Sequence, residues 1–373
     1  MNCSKAAAEK KNTFRHFLTR EKTEPLLTML SSLIISFCII AALLLLTGYN
    51  PVFVFSTLFT GAFVGEVNIS ETLLSATPLM LLGLAVAFSF KASLLNIGVE
   101  GQMIVGALAA GAVGIYLKNM PAFLHVTLSL SAGMAAGALW AFLPGYLKAK
   151  RGSHEVIITV MMNYISFRVS AYLLNGPLKA PGANIAASPR ILPTARLPIL
   201  ITGTRLSIGI LFALLTAAIL WYMFRYTKYG YGVEAVGLNA HAAEYSGIKI
   251  DRTIITSMLI SGAIAGLAGG VEILGLHYRV YDQFSPGYGF ESIAVALVGG
   301  GSPLGVVLSG LLFGALKAGS VNMQTVAGTS KDLVKIIQAI IIFFAVAGFS
   351  FKNLLAGLRR KFKAQEAVLP GGE

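Results

Sequence analysis

Three side chains able to hydrogen-bond, Asn96, Glu100 and Gln102, crowd into the stretch "NIGVEGQ" in the midst of apolar sequence. An ionisable or amide group costs several kcal/mol where water cannot reach it, so in an apolar span it is first suspected of function. Gathered at a glycine-containing interruption, two amides and a carboxyl have the chemistry to read a polar ligand by hydrogen bonds. Asn163 joins them as a third amide from a second polar cluster, eight residues after Glu155 and so on the same helix face. Asn96, Glu100, Gln102 and Asn163 are therefore the candidate substrate contacts, flanked by the rings of Phe88, Phe90 and Tyr164.

Other chemistry is poorly supported. His154 and Glu155 are adjacent, so on a helix they point about 100° apart, and a boundary or capping role suits them better than acid–base catalysis. No HExxH, GxSxG or GxxxxGK[ST] pattern occurs, which argues against a zinc peptidase, an acyl hydrolase and a phosphate loop on this chain. Cys3 and Cys38 are the only cysteines and provide neither a disulfide framework nor a CxxC site. No enzyme activity, metal or cofactor is expected.

The elements that must position these residues are transmembrane helices. Of 373 residues, 55% are apolar and 12% charged, with a mean hydropathy of +0.74, well outside the range of soluble domains. The run from Pro25 to Tyr49 exceeds the roughly 20 residues that span a bilayer and is too long for a signal-peptide core. Further apolar segments fall near 71–90, 93–117, 122–147, 155–175, 205–224, 253–275, 289–299, 304–320 and 333–351. The expected fold is thus an all-α polytopic membrane protein with about ten crossings over 25–351. The net charge of +13 gathers at segment ends rather than in an aromatic-laced stripe, so it speaks for topology and not for nucleic acid. Basic tails at 1–24 and 352–373 place both termini in the cytoplasm, which requires an even number of crossings.

That alternation puts the loop 176–204 outside and 225–252 inside. The outer loop carries Pro177, Pro181, Pro189, Pro193 and Pro198, which prevent one regular helix, and Lys179, Arg190 and Arg196, which form a candidate docking surface for an acidic partner. In the inner loop, Asn239 is an N-cap, "AHAAEY" a short helix of strong formers, and Gly247 a left-handed C-terminal residue. Two turns are too short to persist without a partner surface. Small residues four apart, Gly133 with Gly137 and Gly262 with Gly266, predict close helix approach, whereas "GGGSPLG" at 299–305 predicts a broken helix. The interruptions at 90–107 and 298–315, one in each half, are the signature of an inverted repeat with a path between the halves.

The motifs "NIGVEGQMIVGALAAG", "RGSHEVIITVMMNYI", "AVGLNAHAAEYSGI" and "GYGFESIAVALVGGGSPLG", met in this order, resemble the permease subunits of bacterial ABC importers of the simple-sugar and nucleoside class. They are most similar to nucleoside permeases, and distantly to ribose and branched-chain amino-acid permeases, and the likeness extends over 25–350. The resemblance implies a cytoplasmic coupling helix, Asn239, Ala240, His241, Ala242, Ala243, Glu244, Tyr245 and Gly247, set into a groove of a separate ABC ATPase. It also implies a second, different permease subunit, an extracytoplasmic binding protein and a plasma-membrane location. Such permeases often carry Asn-Pro in the coupling segment, where this chain has Asn239-Ala240. Import of ribose or another simple sugar is the competing substrate. Proton-coupled transport through Glu100 or Glu155 is the competing mechanism, and it leaves the 236–253 insert without a purpose.

Overall fold

Long runs of Leu, Ala, Val and Gly fold as helices in lipid because only there does each backbone N–H and C=O find a partner within its own segment. In the computed structural model, which describes residues 34–344, regular structure is helical, and extended pairing among these residues amounts to two isolated bridges, Ala187 with Tyr281 and Ile199 with Ser207. The helices are α1 (Ile34–Leu46), α2 (Pro51–Phe63), α3 (Glu66–Lys91), α4 (Val99–Tyr116), α5 (Ala122–Arg151), α6 (Glu155–Asn175), α7 (Gly209–Tyr226), α8 (Lys228–Leu238), α9 (Ala240–Tyr245), α10 (Ile250–Glu272), α11 (Tyr288–Val298) and α12 (Pro303–Thr325), followed by helical residues 331–344. Among the described residues, seven helices are long and apolar enough to cross a bilayer: α3, α4, α5, α6, α7, α10 with its π-helical extension to His277, and α12. The protein is an all-α, multi-pass membrane protein.

The apolar segmentation differs from this in instructive ways. The helix α2 lies outside the expected apolar segments, because Asn50–Pro51 and Gly65 interrupt the hydropathy on both sides of it. The segment at 289–299 is a helix of only 11 residues, about 16 Å long and too short to cross by itself. The inner loop is itself mostly helix, α8 followed by α9. The tails at 1–24 and 352–373 lie outside the described residues.

Two compact units make up the chain, Thr57–Asn322 and the flanking segments. Within the larger one, α4, α5 and α10 meet through glycine. A Cβ built on Gly266 would lie 2.1 Å from the Gly133 carbonyl oxygen, and one on Gly106 would lie 2.4 Å from the Gly266 Cα, so these backbones touch directly. On the other side of α10, α3 is buried over most of its length and packs against α7 and α11 as well.

Candidate functional site

Between α3 and α4 the chain leaves helical geometry at 92–98, with Ser93 at φ +58°. The break lies well inside the helix bundle. It touches Asn163, eight residues into α6, and Ser261, eleven residues into α10, which puts it about 12–16 Å from that end of the bundle. At such depth every freed backbone group needs a protein partner. Asn163 supplies two: its Oδ1 accepts from the Gly101 amide at 2.8 Å and its Nδ2 donates to the Ile97 carbonyl at 2.9 Å. Asn96 and Gln102 exchange reciprocal amide bonds of 2.9 and 3.1 Å, while Asn96 also accepts from Gly98 N and donates to Ser261. All three amides are buried.

Glu100 points elsewhere. Its Oε2 accepts from the Gly289 amide of α11 at 2.5 Å, and the residue lines a cavity of about 410 Å³ between α4, α6 and the loop 282–287. Around that cavity stand Tyr164, Phe167, Arg168, Asp282 and Phe290. The structure therefore joins all four expected contacts in one neighbourhood but turns them to different tasks in space: Glu100 faces the cavity, and Asn96, Gln102 and Asn163 face the break. Of the three flanking rings, Tyr164 lines the cavity and Phe88 is buried against Phe224, with ring centroids 5.5 Å apart.

Sequence reasoning passed over Arg168 and Asp282. Arg168 is the one charge in "NYISFRVSAYLLN", is exposed, and makes no ion pair with described residues, a costly arrangement within a span unless it meets water or another chain. That solitary charge was a readable signal. Asp282 gave none, because only the fold brings its loop back to α6. Lys317 was missed too. Its ammonium pairs with Glu291 at 2.9 Å and lies 4.1 Å from the centre of the Tyr288 ring, so α11 and α12 share an ion pair.

At the end of the bundle where α3 and α5 finish and α10 begins, α9 stands exposed. The Asn239 side chain accepts from the Ala242 amide at 3.1 Å, and Gly247 closes the helix at φ +82°. Ala243 is buried beneath it, whereas His241, Ala242 and Glu244 are exposed and Tyr245 is 95% exposed beside Leu238 at 89%. Two large apolar side chains standing in the open, Leu238 at the end of α8 and Tyr245 at the end of α9, mark a surface made to be covered. Ion pairs surround it: Lys91 with Glu234, Lys148 with Glu155 and Lys150 with Asp251, at 2.7–2.8 Å.

At the opposite end the 176–208 segment is sewn to 278–282. The Ser188 amide donates to Val280 O and the Ile191 amide to Tyr278 O, at 2.8 and 2.9 Å. Lys179 and Arg190 are exposed there, while Arg196 is half-buried with its guanidinium 4.9 Å from the Tyr278 ring centre. Nearby, Arg205 grips Glu71 through two bonds of 3.0 and 2.7 Å, and these hold the guanidinium even more firmly in its charged form.

Seven helices of membrane-spanning length among the described residues, a polar break beside a cavity, and an exposed capped helix at one end are the parts of an integral-membrane transport subunit. The chain belongs to the family described as branched-chain amino acid transport system / permease component, which matches residues 68–346. It is 41% identical to the guanosine ABC transporter permease protein NupP of Bacillus subtilis, over 90% of this chain and 97% of that one. Identity is 34% to the nucleoside ABC transporter permease protein NupB of Lactococcus lactis, over 94% and 99%, and 33% to the glucose ABC transporter permease protein TsgB13 of Haloferax volcanii, over 90% and 89%. The same Bacillus and Lactococcus strains each hold a second permease that matches more distantly, at 25% and 24%, over 76% and 67% of this chain and 92% and 80% of theirs. No solved structure matches.

Proposed function

We propose that this chain is one of two permease subunits of an ABC importer that moves nucleosides inward by alternating access, with ATP hydrolysed on a separate subunit. The observation that carries the reading is the cavity beside Glu100. Its volume falls in the range of about 300–1,000 Å³ usual for small-molecule sites. Its lining combines ring faces, Tyr164, Phe167 and Phe290, with hydrogen-bonding groups, Glu100, Asp282 and Arg168. A nucleoside offers the complement: a flat π face on the base, and N–H, O–H and acceptor groups along the edge and the ribose. In this reading Glu100 touches the substrate, and Asn96, Gln102 and Asn163 hold the break that presents it. The relatives named for guanosine and nucleosides support the substrate class.

The exposed Tyr245 of α9, with Leu238 at the end of α8, supports a role for α9 as the coupling helix, with Asn239, Ala240, His241, Ala242, Ala243, Glu244, Tyr245 and Gly247 seated in a groove of the ATPase. Paired permeases in the related organisms support a paralogue as the second subunit. The basic residues around α9, among them Lys148, Lys150, Arg151, Lys249 and Arg252, support a cytoplasmic position for that end, in a plasma membrane with both termini inside. The opposite end then receives an extracytoplasmic binding protein. Of the three basic residues there, Lys179 and Arg190 stand free to meet an acidic lobe, and Arg196 is set back beneath them.

The test is uptake of radiolabelled guanosine, other nucleosides, ribose and glucose by cells carrying the chain with its partner subunits. We expect nucleoside uptake that is lost with Ala242→Asp or Glu244→Lys while the protein remains in the membrane, and is reduced by Glu100→Gln. Uptake that survives the α9 changes but collapses with the proton gradient would replace this reading with secondary transport, and uptake of sugars alone would replace the substrate.

A further inference from the structure

A second cavity, of about 610 Å³, opens between α5 and α7 and has no part in the reading above. It exists because these two helices pack chiefly on different neighbours, α5 on α4, α6 and α10 and α7 on α3 and α8, and meet only through α10 at the back of the groove. The walls are almost wholly apolar. They run from Phe123 to Met134 along α5 and from Ile208 to Ile219 along α7, with Leu267 of α10 among the lining. Each wall advances eleven residues, about 16 Å of helix, and half of a roughly 30 Å hydrocarbon core is about 15 Å. The groove is therefore one leaflet deep, and it begins at the end of the bundle opposite α9.

At its head lies Arg196, the only charged residue in the lining. Its Nε is buried with no hydrogen-bond partner, its guanidinium leans on the Tyr278 ring at 4.9 Å, and it makes no ion pair with described residues. A buried guanidinium donor without an acceptor is costly, and at this depth the acceptor at hand is a phosphate. We propose that the groove is a binding site for an anionic phospholipid of the leaflet opposite α9, with an acyl chain between α5 and α7 and the headgroup phosphate on Arg196. An anionic lipid is preferred over a zwitterionic one because the lining holds no carboxylate to receive a headgroup amine, which would instead face Arg196. The inference rests only on membrane insertion and is independent of what is transported.

The assembled transporter, purified in detergent with all its subunits, is titrated with dioleoyl-phosphatidylglycerol or dioleoyl-phosphatidylcholine, and the lipids retained on each permease are counted by native mass spectrometry. Wild type should hold one more phosphatidylglycerol than Arg196→Gln, and hold it about fivefold more tightly than phosphatidylcholine. Arg196→Lys should keep the preference, and inorganic phosphate at the same concentration should not displace the lipid. Ser131→Trp, which fills the groove from an exposed position of α5, should remove that lipid whatever its headgroup. Equal retention of the two lipids by wild type, an unchanged count in Arg196→Gln or Ser131→Trp, or displacement by phosphate alone would each overturn the site. If Arg196→Gln fails to assemble, Ser131→Trp and the wild-type lipid comparison decide the matter.

Discussion

Replacing Gly266 by alanine adds one methyl group at the point where α10 meets α5. That methyl would lie 2.1 Å from the Gly133 carbonyl oxygen, 2.9 Å from its carbon and 3.2 Å from the Gly137 Cα, where ordinary contact begins near 3.4 Å. All three obstacles are backbone, so no rotamer change relieves them, and α5 must recede from α10 by about 1 Å. The recession also opens the contacts of Gly137 with Gly262 of α10 and of Gly133 with Gly106 of α4, which lie in the same seam. Overpacking of this kind costs about 1–3 kcal/mol, and the rigid surroundings argue for the upper end, or roughly 4 °C in apparent Tm for a chain of this length. The control is Gly232→Ala in α8, where the added methyl finds its nearest neighbour at 3.9 Å. There alanine should be neutral or stabilise by up to about 1 kcal/mol, through helix propensity alone. Thermal unfolding of the purified protein, followed by fluorescence-detected gel filtration, compares the two. Equal shifts, or no loss of Tm in Gly266→Ala, would refute the account of the core as a glycine seam.

Asn239→Ala removes the side-chain cap of α9, worth about 1 kcal/mol on a helix with little to spare, and should lower substrate-stimulated ATPase activity of the reconstituted complex several-fold while leaving permease Tm unchanged. Asn96→Ala and Gln102→Ala should each cost about 1–3 kcal/mol by stranding the other amide, and the double variant should cost clearly less than the two together in a thermal-melt cycle. Glu291→Ala should lower membrane yield and Tm by leaving the Lys317 ammonium unpaired at depth, and Glu291→Leu with Lys317→Met should recover most of the loss, whereas an equally poor double variant would disprove the pairing. Glu71→Ala should lower Tm by no more than about 1–2 °C, because Arg205 is largely exposed and its bond competes with water.

Much of this was written in residue types. The glycines at 133, 137, 262 and 266 announced backbone contact, because lipid gives helices no other reason to lack side chains, and those contacts form as spaced. Asn239 and Gly247 announced the ends of a short helix for the same kind of local reason, since capping is decided within a few residues. What the sequence withheld was direction. Asn96, Glu100 and Gln102 are equally polar as letters, and only the packing of α6, α10 and α11 turns the amides toward the break and the carboxylate toward the cavity. Arg168 and Asp282 lie more than a hundred residues apart, and nothing periodic links them. The short helices α2 and α11 were hard to place because, in a bilayer, apolar composition marks a segment as buried without telling whether it crosses.

The two bonds of Asn163 carry a mechanical consequence. One amide from α6 clasps the junction of the break with α4, accepting from Gly101 in the first turn of that helix and donating to Ile97 at the end of the break. The first turn of α4 is thereby hitched to α6 and not to the helix that precedes it in the chain. A tilt of α6 drags that turn along, and with it Glu100 and, through the Gly289 amide, the start of α11. Three helices that are distant in sequence so behave as a single linkage, and its pivot is one carboxamide.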